Sequence, residues 1–210
     1  MKCVTPSVEF VGISKNLTEK EILEHLEECG RTAYKSEDKI KDGSAEKFIK
    51  AIIKRGHESV IEHFGFTVRI VTDRGLTHEL VRHRLASFTQ ESTRYCLYAL
   101  DKFGNEITVI KPSGINQEEQ VEEWFDAMDD AERHYLKLIE LGVKPEDARS
   151  VLPTCTKAEI VITANFREWR HIISLRTESG AHPDIRLLCG NILELFRDKI
   201  PVLFDDIEVQ

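Results

Sequence analysis

Apolar residues recur along this chain at two spacings, and the spacings predict its elements. Residues 8–11 form a short apolar run, consistent with a strand. Thr18 and Glu21 stand at capping-box spacing, and Ile22, Leu23 and Leu26 follow at helical intervals, with Gly30 as the expected stop. A second helix is predicted over 44–55, burying Phe48, Ile49, Ile52 and Ile53, with Gly56 ending it. Over 64–72 the spacing switches to alternation. Phe64, Phe66, Val68 and Ile70 share one face, and Gly65, Thr67, Arg69 and Val71 the other, which marks a half-buried strand. Residues 77–87 read as helix, and 107–111 as a strand closed by Pro112-Ser113-Gly114. The longest amphipathic run is 117–141, with its stripe through Val121, Trp124, Phe125, Met128, Ala131, Tyr135 and Leu138, and Gly142 after it. Pro145 suits the first position of a short helix through Val151. A strand over 159–164, a helix over 165–177 and a last helix over 183–199 complete the pattern. Strands and helices mix without strict alternation. The fold class predicted is α+β, or mixed α/β: a mostly antiparallel central sheet flanked by long helices, in one domain over residues 1–210.

Composition narrows the function classes. With 41% hydrophobic residues in 210, the chain can build a real core. Its formal net charge of -8 argues against broad nucleic-acid binding, which needs a basic face. The five cysteines, Cys3, Cys29, Cys96, Cys155 and Cys189, are odd in number and hold no C-x-x-C pair, which suits a reduced, cytoplasmic setting. The first residues lack a signal-peptide apolar run, and no stretch reaches the ~18 apolar residues of a membrane span. Neither a membrane nor a nucleic-acid partner is therefore expected.

The chemistry begins at Arg82-His83-Arg84. On a helix three consecutive residues fan over roughly 200°, so some of these cations would lie beside Leu80, Val81 and Leu85. Burying an unpaired charge costs several kcal/mol, and a bound anion removes that cost. A solvated basic helix face is the plainer alternative. Next comes Ser87-Phe88-Thr89-Gln90-Glu91-Ser92-Thr93-Arg94-Tyr95, dense in hydroxyls and amides. Hydroxyls and an arginine fork suit a phosphate, and the Gln90 amide could read a base edge. An ordinary polar loop would look the same. Arg176 is the sharpest single residue. At about 100° per residue from Asn165 it falls near 20°, between Trp169 near 40° and Ile172 near 340°, inside an apolar stripe. It needs a partner there, and Glu178 or Asp184 would serve for a structural ion pair. His57 and His63 are poorly spaced for shared ligation on one helix, so no metal site is expected. Cys155 beside Pro153-Thr154 could be a catalytic thiol, but no base partner can be placed from sequence.

Arg82-His83-Arg84, seven residues and then Ser92, matches the RHR-x7-S signature of flavin-dependent thymidylate synthases, with Arg94-Tyr95 following as in that family. The resemblance runs from about Val8 to Phe196. It extends to Gly56-His57-Glu58-Ser59, to Arg149-Ser150-Val151-Leu152-Pro153 and to Asn165-Phe166-Arg167-Glu168-Trp169-Arg170-His171. Ser59 to Glu62 also has capping-box spacing, so free backbone amides should collect at a helix start there. Glu79 stands where many members have Gln, Gln90 where some have Glu, and His171 where some have Asn.

The resemblance implies methylation of deoxyuridylate (dUMP) to thymidylate (dTMP). Methylenetetrahydrofolate gives the carbon, flavin adenine dinucleotide (FAD) the hydride, and NADPH reduces the flavin. It implies FAD contacts from His57, Ser59, Arg82, His83, Arg84, Gln90, Asn165, Phe166, Arg167 and His171. It implies dUMP contacts from Glu79, Leu80, Val81, Arg82, Gln90, Glu91, Ser92, Thr93, Arg94, Arg149 and Arg176, with Arg176 activating the uracil. A homotetramer with sites shared between subunits is also implied. That agrees with the absence of a glycine-rich G-x-G-x-x-G turn for a dinucleotide. Two other readings remain at this point: a non-catalytic nucleotide- or RNA-binding module using the Arg82–Arg94 patch, and a thiol-dependent methylase using Cys155.

Overall fold

The computed structural model describes residues 1–100 and 104–209. In chain order come β1 (Lys2–Cys3), β2 (Ser7–Val11), α1 (Glu19–Arg31), α2 (Ser44–Lys54), β3 (Gly65–Asp73), α3 (Arg74–Leu80) and β4 (Ser87–Gln90). Then follow β5 (Thr108–Val109), α4 (Glu118–Glu140), α5 (Pro145–Ala148), β6 (Lys157–Asn165), α6 (Phe166–Thr177), α7 (Pro183–Lys199) and α8 (Pro201–Phe204). Four strands make a sheet in the order β2-β3-β6-β4, and β1 pairs with β5 in parallel. The β3–β6 pair is antiparallel. Phe166 N–H donates to the Phe64 carbonyl at one end, and Arg74 N–H to the Thr156 carbonyl at the other. The class is mixed α+β, as the hydrophobic pattern predicts.

The chain divides into two compact units. The first holds Met1–Ser7, Ile70–Arg82 and Thr89–Val161; the second holds Val8–Arg69, His83–Phe88 and Ile162–Gln210. In the second unit α1 opens with the expected capping box: the Thr18 hydroxyl accepts from Glu21 N–H, and the Glu21 carboxylate accepts from Thr18 N–H. Gly30 does not stop α1, which runs on to Arg31. A Cβ there would lie 2.6 Å from the Phe48 ring, so this glycine permits close packing of α1 against α2. Gly56, by contrast, ends α2 with a positive φ, as expected. Phe10, Phe66, Phe166, Phe196, Phe204 and Trp169 build an aromatic core, with Phe196 and Phe204 ring centres 4.4 Å apart. Trp169 Nε1 donates to the Phe66 carbonyl at 3.0 Å, which ties α6 to β3. Such ties fix which face of α6 points inward.

The first unit has its own core of Tyr98, Ile107, Val109, Met128, Tyr135 and Ala148. Of the stripe predicted on α4 only Met128 and Tyr135 are buried, with Trp124 and Leu138 half-buried beside them. Pro145 opens α5 as predicted, and Arg149–Val151 continues as a 3-10 turn.

Several expectations fail for local reasons. The helix expected over 77–87 ends at Leu80, and turns lead into β4. The Asp73 side chain accepts from Leu76 N–H at 2.9 Å, so the cap sits one turn earlier than the pattern suggested. Residues 87–90 then join the sheet edge instead of forming a polar loop. The cations of Arg82-His83-Arg84 therefore do not fan around a helix. Ser59 opens no capping box: Glu58–His63 is a 3-10 helix with His57 at its N-cap and no side-chain cap bond. Its Glu62 binds Arg167 instead. The strand expected over 107–111 shortens to β5, and α8, opened by Pro201, was not foreseen.

Candidate active site

The residues singled out by sequence gather into one group in each unit. In the first, Asp73 caps α3 and thereby places Thr77, whose hydroxyl accepts from Gln90 Nε2 at 3.0 Å. This bond commits one Gln90 donor to the protein. Glu91, just past the end of β4, is held from three sides. Lys157 Nζ donates to it at 2.7 Å, Glu159 N–H at 3.2 Å and the Tyr98 hydroxyl at 3.4 Å. Burial, and then the Glu91 carboxylate, push the Tyr98 phenol well above its ordinary pKa, so it remains a donor. A cavity of about 410 Å³ opens here, lined by Thr89, Gln90, Glu91, Cys96, Lys157, Glu159 and Val161.

The next turn carries the arginines. The Ser92 hydroxyl accepts from Arg94 N–H at 3.3 Å. Thr93 is buried, and its hydroxyl accepts from Arg149 Nη1 at 3.1 Å. Both guanidinium groups reach the same residue: Arg94 Nη2 lies 3.3 Å from the Glu146 carboxylate, and Arg149 Nε donates to the Glu146 carbonyl at 3.2 Å. Arg94 and Glu146 are 52% and 42% exposed, so this ion pair is loose enough for an incoming anion to displace. Glu79 is half-buried, Leu80 buried, and Val81 and Arg82 exposed at the end of α3.

The second group centres on His83, which is 5% exposed. Arg176 Nε donates to His83 Nε2 at 3.1 Å. A guanidinium can only donate, so Nε2 carries the lone pair and the ring proton sits on Nδ1. Burial, then the charges of Arg176 and His171, bring the His83 pKa down to about 4, which keeps the ring neutral. Glu168 Oε1 lies 3.8 Å from Nδ1. That carboxyl is itself buried, and burial raises its pKa. The His171 and His83 rings meet edge to face at 5.7 Å. Arg176 thus meets an imidazole, a partner that the ion-pair alternative with Glu178 or Asp184 did not anticipate.

The remaining residues of the second group divide by exposure. His57, Ser59, Arg84, Arg167 and His171 are exposed. Arg167 pairs with Glu62 and, at 3.8 Å, with Glu58. The Asn165 side chain caps α6 by accepting from Glu168 N–H at 2.9 Å. Phe166 is fully buried in the aromatic core, and its main-chain N–H already donates to the Phe64 carbonyl. Sequence reasoning missed Tyr98 and Glu146, and also Lys157 and Glu168. Lys157 shares one face of β6 with Glu159 and Val161, and strand alternation could have flagged it. Glu168 stands three residues after Asn165, at the spacing of a capping box, and nothing in the sequence points it at His83. Cys155 is no candidate nucleophile: burial raises its thiol to about 11. Among the described residues no group of three or more metal-ligating side chains occurs, and no helix is long and apolar enough to cross a membrane.

Comparison with known proteins first defines the class by fold. The chain superposes on the UMP/dUMP methylase PolB from Streptomyces cacaoi, solved bound with 5-Br dUMP, with a TM-score of 0.79. That match covers 98% of this chain and 96% of the other, at 22% identity, and the same protein bound with 5-Br UMP gives 0.77. Sequence then makes the assignment narrower. The family described as thymidylate synthase complementing protein matches residues 17–202. The flavin-dependent thymidylate synthase of Pyrococcus furiosus is 38% identical, over 79% of this chain and 68% of that protein. Its counterpart in Corynebacterium diphtheriae is 34% identical, over 97% and 85%. The chain is an enzyme of the flavin-dependent thymidylate synthase family.

Proposed function

We propose that residues 1–210 form one catalytic domain that methylates dUMP to dTMP in the cytoplasm, with methylenetetrahydrofolate as carbon donor and NADPH as reductant of bound FAD. The relatives' shared name and the dUMP analogue in the fold neighbour support this reading. The observation in this chain that carries it is the meeting of Arg94 and Arg149 at Glu146, beside the Ser92 and Thr93 hydroxyls. Two arginine forks and two hydroxyls are what a nucleotide monophosphate requires.

In this reading Arg94 gives up its loose contact with Glu146 and takes the phosphate, while Arg149 is held ready by Thr93. Glu79, Leu80, Val81, Arg82, Gln90 and Glu91 surround the nucleotide. Arg176 faces the pyrimidine and stabilises negative charge developing on the ring, which favours loss of the N3 proton. His83, neutral and accepting from Arg176, orients that guanidinium without cancelling its charge.

FAD brings a diphosphate, and the exposed guanidinium groups of Arg82, Arg84 and Arg167, with the His57 and His171 rings and the Ser59 hydroxyl, fit one. Asn165 would meet the flavin at the start of α6, where its side chain also serves as the cap, and Phe166 would back it from the core. Gln90 would add an amide contact, and His83, buried with both ring nitrogens engaged, would back the site from behind. Bound FAD, once reduced, supplies the hydride. Such a scattered set suits a grip assembled from several copies of the chain in a homotetramer.

The test is direct. Purified protein should be yellow, bleach anaerobically on adding NADPH, and convert dUMP to dTMP when methylenetetrahydrofolate is present. Colourless protein that binds neither FAD nor dUMP when both are supplied in excess would overturn the proposal.

A further inference from the structure

We propose that Glu168 is a positioning residue, which holds His83 in the tautomer that Arg176 needs and so fixes the direction of the Arg176 guanidinium. The inference rests on the role proposed above for Arg176. Its geometry stands alone: Arg176 Nε–H to His83 Nε2 at 3.1 Å, and Glu168 Oε1 at 3.8 Å from His83 Nδ1.

An imidazole has two neutral forms, and only the one with its proton on Nδ1 can accept from an arginine at Nε2. The opposite form would set an N–H against an N–H. The ring therefore needs something on its far side that prefers Nδ1–H. Glu168 supplies it: a carboxyl oxygen faces Nδ1, and both side chains are almost entirely shielded from water, at 7% and 4% exposure. At 3.8 Å the contact acts through charge and dipole more than as a full hydrogen bond, and low solvent access strengthens it. Burial keeps His83 from being protonated, which would place two cations face to face.

The chain places the three residues without effort. Glu168 lies one turn into α6, where Asn165 accepts from its main-chain N–H and anchors the helix start. Arg176 lies two turns further on, and the turn after α3 carries His83. The Asn165 cap uses only the main chain of Glu168, so replacing its side chain leaves the helix start intact.

The experiment uses flavin-loaded protein with 15N-labelled histidine. Wild type should show His83 as a single Nδ1–H tautomer. In Glu168→Ala an Nε2–H population should appear. The turnover number should fall roughly tenfold to a hundredfold, as small misplacements of a catalytic group do. KM for dUMP and flavin content should stay within about twofold. Glu168→Gln keeps an oxygen available to Nδ1 and should restore both tautomer and turnover to near wild type. A wild-type His83 protonated on Nε2, or a Glu168→Ala protein with unchanged tautomer and turnover, overturns the proposal. Failure of the Arg176 role is separately visible. Arg176→Ala would then leave turnover unchanged, while the His83 tautomer in Glu168→Ala still reports on Glu168.

Discussion

The two groups of arginines in this enzyme are held in opposite ways. In the second unit, Arg170 is 11% exposed and grips Asp206 with two bonds of 2.6 and 2.7 Å, with Glu58 3.5 Å away. Two turns along the same helix, Arg176 meets a buried imidazole. In the first unit, Arg94 is 52% exposed, makes one 3.3 Å contact with a half-exposed carboxylate, and lies over the Tyr95 ring at 5.5 Å. A buried cation has its direction set by folding, because desolvation penalises any arrangement without its partner. An exposed one is held by interactions of about a kcal/mol or less and can exchange its partner for a ligand. Fixed direction suits charge stabilisation on a reacting ring; exchangeable contacts suit capture of a phosphate.

The contrast can be broken most forcefully at Arg176. Arg176→Ala should lower turnover by about 10² to 10³, the scale of losing one preorganised charge-stabilising donor, with flavin content unchanged. Equal loss of both would show that Arg176 only holds the structure together.

A second measurement uses acid. His83 is kept neutral to about pH 4 in the folded protein, below the ordinary 6.5 for the free ring. As pH falls from about 6.5 toward 4, the unfolded chain gains a proton that the folded one refuses. Folding stability should therefore drop across that window, by at most about 3 kcal/mol from this residue. Wild type should lose more stability over that range than His83→Gln, measured by urea titration, and parallel losses would contradict the buried neutral ring.

Asp206→Asn tests the purely structural arginine. Arg170 hydrogen bonding holds the Asp206 carboxyl below its usual pKa, so its contribution is complete above about pH 4 and fades as pH falls further. Near neutral pH the variant should lose about 2 kcal/mol, less than a fully buried pair because Asp206 is half exposed, or roughly 4–8 °C in Tm. Arg94→Ala should leave Tm within about 1 °C, since exposed pairs contribute so little, while weakening dUMP binding about tenfold. The smallest effect belongs to Cys155→Ala. With the thiol raised to about 11, hardly any thiolate exists at neutral pH, and turnover should remain within about twofold. Abolished activity there would revive a thiol mechanism.

Sequence by itself settled whatever local chemistry can settle. The Thr18 box, Pro145 and Pro183 opening their helices, the alternation of β3 and the length of α4 all follow from side chains within a few positions of each other. The RHR-x7-S residues were also legible, by their spacing and family resemblance, and Arg176 as a charged group in an apolar stripe. Tertiary structure decided the rest, because the deciding partners lie far along the chain. Gly30 looked like a helix stop until the Phe48 ring, eighteen residues on, explained its missing Cβ. The helix expected through Arg82-His83-Arg84 gave way because residues 87–90 pair with a strand some seventy residues later. That Arg176 meets His83 could not be read either. His83 is 93 positions away, and only packing brings an imidazole against a guanidinium in a place too dry for both to carry charge.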